Sequence, residues 1–410
     1  MTEPPPRSRT TMPTIESLGY PLVFSVADRQ EVARHRAGRV TVHADLHALD
    51  GMQKEALVRV GSGRTWRMVS DEGPYLNGAD MAPFPLAFFS AGMQFSFLSQ
   101  LMRSARARSV ALRSVELVQD TFYSLEGSFL RGDATGGAMP VQVEVAIESD
   151  AESDVIAGLV RKATERSGAH ALMRGVLENL FALTHNGVRS EVDGLAPSPS
   201  THAEAPTFEG VAPDPAHPCA DDIIIKTREA EKVHGVEGGA GSSLKAEQKR
   251  TLHIHGEARM TDGMGMETDI RLFKPIGSSF RFRCDETREN GGGEREPSPL
   301  AYLGAGVGFC YMTQLGRYAH IRNKDLIAYS LIQENGFSLG DSPDDPAHEE
   351  KRSVAAEPFD THVFMESAET DEVAEDFLRT AERTCFLHAA MREPRPSEIR
   401  LRLNGSECAL

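Results

Sequence analysis

The chain repeats itself, and a repeat constrains a fold more than any single motif. Residues 65–101 overlay residues 279–315 without a gap, with 13 of 37 columns identical. PFPLAFFSAGMQFSFLSQL meets PSPLAYLGAGVGFCYMTQL, and TWRMVSDE meets SFRFRCDE. Upstream, VHADLHALDGM (42–52) meets IHGEARMTDGM (254–264). Downstream, AESDVIAGLVRKATERSG (151–168) meets AETDEVAEDFLRTAERTC (368–385). The offset drifts slightly along the chain, as loop insertions make it do.

Both halves predict the same order of elements. Strand-like segments such as VTVHADLHAL and TLHIHGEARM come first, then a long apolar helix, more strand, and an amphipathic helix. Ser298 and Pro299 suit the N-cap and first position of the second half's apolar helix. Asp371 and Glu372 follow Thr370 where a helix dipole favours negative charge. Val373, Phe377, Ala381, Cys385 and His388 recur at helical spacing, which puts Cys385 on the buried face. The fold class is therefore α+β: two similar domains, each an antiparallel sheet packed around a buried central helix and a second amphipathic helix. Residues 1–18 read as a disordered lead-in without a signal peptide, 19–189 as domain 1, and 219–410 as domain 2. Residues 190–218 hold six prolines and read as a semi-rigid linker. Residues 340–358 read as an exposed loop.

Composition removes several classes of function. The net charge is 44 − 60 = −16, which argues against a nucleic-acid partner or an anionic membrane surface. Residues 83–102 are the nearest thing to a membrane span, but their Gln and Ser content reads as a buried core helix. Five cysteines, an odd and sparse set without CxxC, argue for a reducing cytoplasm rather than a disulfide framework. Neither a P-loop nor a GxGxxG before a helix is present.

The repeat makes two of the thiols informative. Cys310 falls opposite Ser96, and Cys385 opposite Gly168. Both thiols are present in one half and both are missing from the other, which is the pattern of a working pair. Gly304, Ala305, Gly306 and Gly308 allow another backbone to approach the central helix closely. That packing would bring Cys310 and Cys385 within disulfide reach. Cys219, Cys284 and Cys408 read as ordinary structural thiols.

A helix opening at PSPL, ending its apolar run in GFC, and followed much later by ERTC resembles the OsmC/Ohr family. The resemblance covers about 45–190 and 255–405. It implies an α+β fold, an intertwined homodimer and thiol-dependent reduction of small organic hydroperoxides without a cofactor. It implies a peroxidatic Cys310 and a resolving Cys385. It also implies a dithiol reductant, such as a lipoylated protein. Arg283 in FRFRCDE matches the family's activating arginine, with Arg281 as the nearby alternative. Val69 stands opposite Arg283. Leu300 stands where family peroxidases have a glutamate after the opening proline, leaving Glu296 or Glu294 to serve. Phe386 replaces the usual proline after the second cysteine, and His388 follows one turn on. The first half, lacking these groups, is expected to act as a built-in partner, making the chain an intrachain pseudo-dimer that can also form a homodimer.

Two other classes stay open. His253 and His255 share one strand face and His43 matches His255, so a metal-assisted or other cysteine-based reaction on a small organic or sulfur compound is an alternative. A non-catalytic, ligand-binding protein is the other.

Overall fold

The computed structural model describes residues 12–27, 38–220, 222–230, 248–339 and 353–410. The first half opens with α1 (Ile15–Leu18) and the strands β1 (Val23–Val26), β2 (Arg39–Ala48), β3 (Lys54–Val60) and β4 (Thr65–Ser70). It continues with helix α2 (Pro85–Ala107) and strands β5 (Ser114–Gly127), β6 (Thr135–Ala138) and β7 (Gln142–Glu148). Helices α3 (Ser153–Arg166) and α4 (Gly168–Arg174), then β8 (Leu180–His185) and β9 (Val188–Ser190), complete it. After β10 (Ala196–Pro197) the second half supplies β11 (Ile224–Arg228), β12 (Gln248–Met260), β13 (Met266–Lys274), β14 (Ser279–Cys284) and α5 (Pro299–Ile321). Then follow β15 (Ala328–Leu339), β16 (Val354–Ala356), β17 (Asp360–Glu366), α6 (Asp371–Thr384), α7 (Phe386–Arg392), β18 (Glu398–Leu403) and β19 (Ser406–Cys408).

The fold is α+β, with two mostly antiparallel sheets, and each sheet takes strands from both halves. One sheet runs β1-β4-β3-β2-β15-β17-β8-β10; the other runs β11-β14-β13-β12-β5-β7-β18-β19. In each, the opening strands of one half pair with the middle strands of the other. Thus β2 pairs antiparallel with β15, setting His43 opposite Glu334, and β12 pairs with β5, setting His255 opposite Asp120.

Alternation decides which residues face the core. Along β2, Val42, Ala44, Leu46 and Ala48 are buried while the residues between them are half-exposed. Helices α2 and α5 lie between the sheets, and nearly every side chain of both is buried. They approach through glycine: a Cβ on Gly306 would stand 2.7 Å from the backbone nitrogen of Phe89. Ser298 is the N-cap of α5 with Pro299 in its first turn, and Thr370 is the N-cap of α6, as their sequences predict. No helix among the described residues is long and apolar enough to cross a membrane.

Three segments differ from expectation or escape it. Residues 1–11 of the expected lead-in, and 340–352 of the expected loop, lie outside the described residues. Residues 12–18 are placed, not disordered: Ile15 is buried and its N–H donates to Gln53 Oε1 at 2.7 Å. The proline-rich segment is pinned to the first sheet, because Phe208 stacks on His47 at 3.9 Å and Ser198 N–H donates to Phe181 O at 2.9 Å.

Candidate functional site

Cys310 stands midway along α5, buried at 2% exposure. Cys385 is the single residue between α6 and α7, the C-cap of one and the N-cap of the other. Their sulfurs lie 3.4 Å apart, and both are free thiols. A disulfide needs about 2.05 Å, so a small side-chain rotation closes the gap without moving a helix.

Burial pushes the Cys310 thiol well above its ordinary value, and the neighbouring Cys385 pushes it further. Burial acts against a thiolate at Cys385 too. There the hydrogen bond with Cys310, the His388 imidazole and the His388 backbone N–H outweigh it and hold the thiol well below its ordinary value. The backbone N–H of Leu387 favours negative charge on Cys310 in the same way. The two sulfurs therefore form one coupled acid, with the first proton easily lost and the second held.

A small pocket opens on Cys310. Its apolar wall includes Leu76, Leu86, Leu252, Leu272 and Phe386, and its polar wall Glu72, Tyr75, Thr313 and Gln314. Glu72 comes from the first half. Tyr75 Oη donates to Glu72 Oε2 at 2.7 Å, and Thr313 Oγ1 donates to Oε1 at 3.1 Å. The turn that carries Glu72 is closed by Gly78, where a Cβ would stand 1.8 Å from the Glu72 carbonyl oxygen. Burial raises the Glu72 carboxyl above its usual range, against the pull of Lys54. Lys54 is itself buried, lowered by that burial, and feels Glu72, Asp71 and Cys310. Tyr123, also from the first half, is buried close to both sulfurs.

Arg250 completes the surroundings. It starts the core-facing row of β12 that Leu252 continues into the pocket wall. It is 4% exposed, and none of its three guanidinium nitrogens has a hydrogen-bond partner among the described residues. Burial lowers it, while Tyr75 and Glu72 favour its charge. In the repeat, Gly38 stands opposite Arg250.

The first half holds a copy of this site with different atoms. Ser167 joins α3 to α4 as Cys385 joins α6 to α7, with φ −69°, ψ 121° against φ −68°, ψ 123°. Cys385 therefore corresponds to Ser167, and not to Gly168 as the sequence register suggests; α3 and α6 each span 14 residues, and those helices fix the match. Ser96 and Ser167 stand 2.9 Å apart, and Ser167 meets His170 Nδ1 at 2.9 Å, with His170 in the place of His388. Ser99 donates to Glu286 as Thr313 does to Glu72.

The other expected groups lie elsewhere. Arg283, expected beside Cys310, is 38% exposed and pairs with Asp222 Oδ2 at 2.5 Å. Its carbonyl accepts from Tyr302, eight residues before Cys310 on α5, about 12 Å up the helix. It points outward because β14 alternates and Phe282 and Cys284 take the inward positions. Arg281 pairs with Asp269 at 2.9 Å on the same outer face. Glu296 sits before α5 with a buried Oε2 that has no partner among the described residues; burial, then Asp285, raise it, and the thiol it disturbs is Cys284. Glu294 faces Arg288 at 3.3 Å. His253 and His255 both meet Asp120, at 2.6 and 2.9 Å, on the face of β12 turned away from Leu252 and the pocket. Among the described residues no group is arranged to hold a metal ion. His388 alone of the supporting residues is at the thiols, packed on Tyr311 and Phe181.

Residues 291–400 match the family model described as OsmC-like protein. This stretch contains α5, α6, α7 and both thiols. It is similar to OsmC-like proteins. A solved structure, an OsmC-like hydroperoxide resistance protein from Jannaschia sp. CCS1, is 20% identical over 38% of this chain and 95% of its own, with a TM-score of 0.24. The search of curated proteins returned no match. The matched stretch brings the thiols, while Glu72, Tyr75, Lys54 and Arg250 lie before its first residue. Sequence reading looked for the cation and carboxylate next to PSPL, and so missed all four. One signal was available: Arg250 against Gly38 differs between the halves just as the thiols do.

Proposed function

We propose that the protein reduces organic hydroperoxides with the Cys310–Cys385 thiol pair. The observation that carries this reading is the 3.4 Å separation of the two free sulfurs beside a pocket. Cys310 is the attacking sulfur because it lines the pocket and Cys385 does not. The coupled pair carries one negative charge; with the remaining proton on Cys385, the Cys310 sulfur attacks the outer oxygen of ROOH, the O–O bond breaks, and RO⁻ leaves with the bonding electrons to take a proton as ROH. Cys310 is left as a sulfenic acid. The Cys385 sulfur then attacks it, forming the disulfide and releasing water. An external dithiol restores both thiols by exchange and is itself oxidised to a disulfide.

Arg250 takes the activating role that the resemblance implies for Arg283. A guanidinium keeps its charge when desolvated, and its idle N–H groups suit the negative charge that develops on the leaving oxygen. Glu72, whose carboxyl burial raises above its usual range, lines the pocket with Cys310 and serves as a proton source for that oxygen. The first half would then contribute residues to the reaction although it has lost its own thiols. The shared sheets support reading the chain as a fused pair with one live site of two. Incubation with tert-butyl hydroperoxide and dihydrolipoamide tests the proposal: the wild-type protein should consume the peroxide, and Cys310→Ser should not.

A further inference from the structure

Lys54 is a buried cation that the peroxide chemistry leaves without a task. It is 1% exposed and opens β3, a strand of the first half that packs on α5. Alternation sends Val58, Ala56 and Lys54 to one face. A Cβ on Gly304 would stand 3.9 Å from Val58 Cγ1, and one on Gly308 would stand 2.6 Å from Leu46, the cross-strand partner of Ala56. The row therefore runs along α5 toward Cys310, and Lys54 comes next, near the turn where Thr313 holds Glu72. Its ammonium donates to Met52 O at 2.5 Å and feels Glu72, Asp71 and Cys310. Tyr75 and Arg250 face the same carboxylate, while Tyr123, Cys385 and His388 face the sulfurs.

Strand register shows what replaces this lysine in the copy of the site. Lys54 pairs with Ala48 and Ser70, and Met266 pairs with Met260 and Cys284, their partners in the repeat. Met266, also 1% exposed, thus stands in the place of Lys54. Asp71 and Glu72, by contrast, recur as Asp285 and Glu286. The carboxylates are common to both corners; the buried lysine accompanies the sulfurs alone.

We infer that Lys54 is a positioning residue of the thiol site, its ammonium the fixed counter-charge to a negative charge that rests on the sulfurs before peroxide is reduced and on Glu72 afterwards. The inference rests on the peroxidase reading and adds its charge balance. The singly charged thiol pair gives two electrons to the O–O bond, and Cys310 becomes the sulfenic acid. Glu72 gives its proton to RO⁻ and is left as a carboxylate. Cys385, still a thiol, forms the disulfide, and its proton leaves in the water. One negative charge has gone from sulfur and one has appeared on Glu72, and Lys54 feels both. Reduction by the external dithiol reverses this: of its two protons, one goes to the sulfur pair and one to Glu72. An unpaired buried charge is costly, so one cation serving both seats lets the charge move without a proton from solvent.

The test is the pH at which the reduced pair loses its first proton, read as the ultraviolet thiolate absorbance that a C310S/C385S double variant lacks. Lys54→Met introduces the side chain that the copy already buries, and Lys54→Gln keeps a donor for Met52 O. Both should raise the midpoint by about one pH unit or more, as loss of a nearby opposite charge does. Lys54→Arg should hold it near wild type. Turnover of tert-butyl hydroperoxide lost in the neutral variants should return as pH climbs past the new midpoint. An unchanged midpoint in either folded neutral variant, or an equal rise in Lys54→Arg, would overturn the inference. If neither neutral variant folds, proton uptake by reduced wild-type protein decides, measured with an indicator dye above its midpoint on adding one equivalent of tert-butyl hydroperoxide. No uptake is expected, and uptake of a proton for each disulfide formed overturns the inference. If the peroxide is not consumed, the peroxidase reading fails, and the midpoints alone still report whether Lys54 holds the charge of the thiol pair.

Discussion

Ser96 and Ser167 hold their hydroxyl oxygens 2.9 Å apart in the first half, in the place where Cys310 and Cys385 hold their sulfurs 3.4 Å apart in the second. The backbone of this corner is the same in both halves, so the sulfur is not needed to build it. What differs is the chemistry the corner can carry.

Restoring sulfur to the first half should restore a redox pair there. The double variant S96C/S167C is expected to form a second disulfide on mild oxidation, seen as two fewer titratable thiols than in its reduced form beyond those lost by Cys310 and Cys385. A double variant that folds and keeps both new thiols free would show that the two corners are not equivalent.

Charge beside the thiols should matter more than charge at the resembling motif. Arg250→Met is expected to lower peroxide turnover by about a hundredfold, the usual loss for one buried charge-stabilising donor. Arg283→Ala should change it little, because Arg283 faces solvent and Asp222. Steady-state kinetics on both variants, with circular dichroism to confirm folding, compares the two positions. A larger loss for Arg283→Ala would return the activating role to the sequence motif.

How the sequence fell short follows from these residues. The α+β order, the N-caps at Ser298 and Thr370, the buried helix and the thiol pair were all legible, because periodicity, capping and internal repetition are local signals. Arg250, Glu72 and Lys54 were not. Glu72 and Lys54 reach Cys310, and Arg250 meets Tyr75 and Glu72, only because strands and turns of one half interleave with those of the other, and no local pattern records that exchange. The match of Cys385 to Ser167 was missed by one residue because the offset drifts in loops whose length the alignment could not place.

His43 ties the halves together across β2 and β15, and its contribution should depend on pH. Burial works against its charge, but hydrogen bonds to Asp45 and Glu334, each 3.2 Å, raise it from 6.5 to about 9. A raised folded value stabilises fully below about 6.5 and is lost as pH climbs through about 9. His43→Gln should therefore lower the urea midpoint at pH 6 and leave it near wild type at pH 10. The effect should be on the order of 1 kcal/mol, since Glu334 is half-exposed and screened. An equal deficit at both pH values would mean that packing, and not charge, is lost.

The contact between α2 and α5 leaves no room at Gly306. Gly306→Val should cost at least about 1–3 kcal/mol, the usual penalty for overpacking, because the obstacle is the Phe89 backbone and not a side chain that can swing aside. Thermal unfolding measures it, and an unchanged melting temperature would mean that the two helices can separate freely.

The central claim is that Cys310 and Cys385 work as one redox pair, and intact-protein mass spectrometry after one equivalent of tert-butyl hydroperoxide tests it most directly. Wild-type protein should lose the mass of two hydrogens, with peptide mapping placing a disulfide between Cys310 and Cys385. Cys385→Ser should stop at a Cys310 sulfenic acid that dimedone traps, and Cys310→Ser should not react. Wild-type protein that leaves the peroxide unconsumed and both thiols unchanged would contradict the claim.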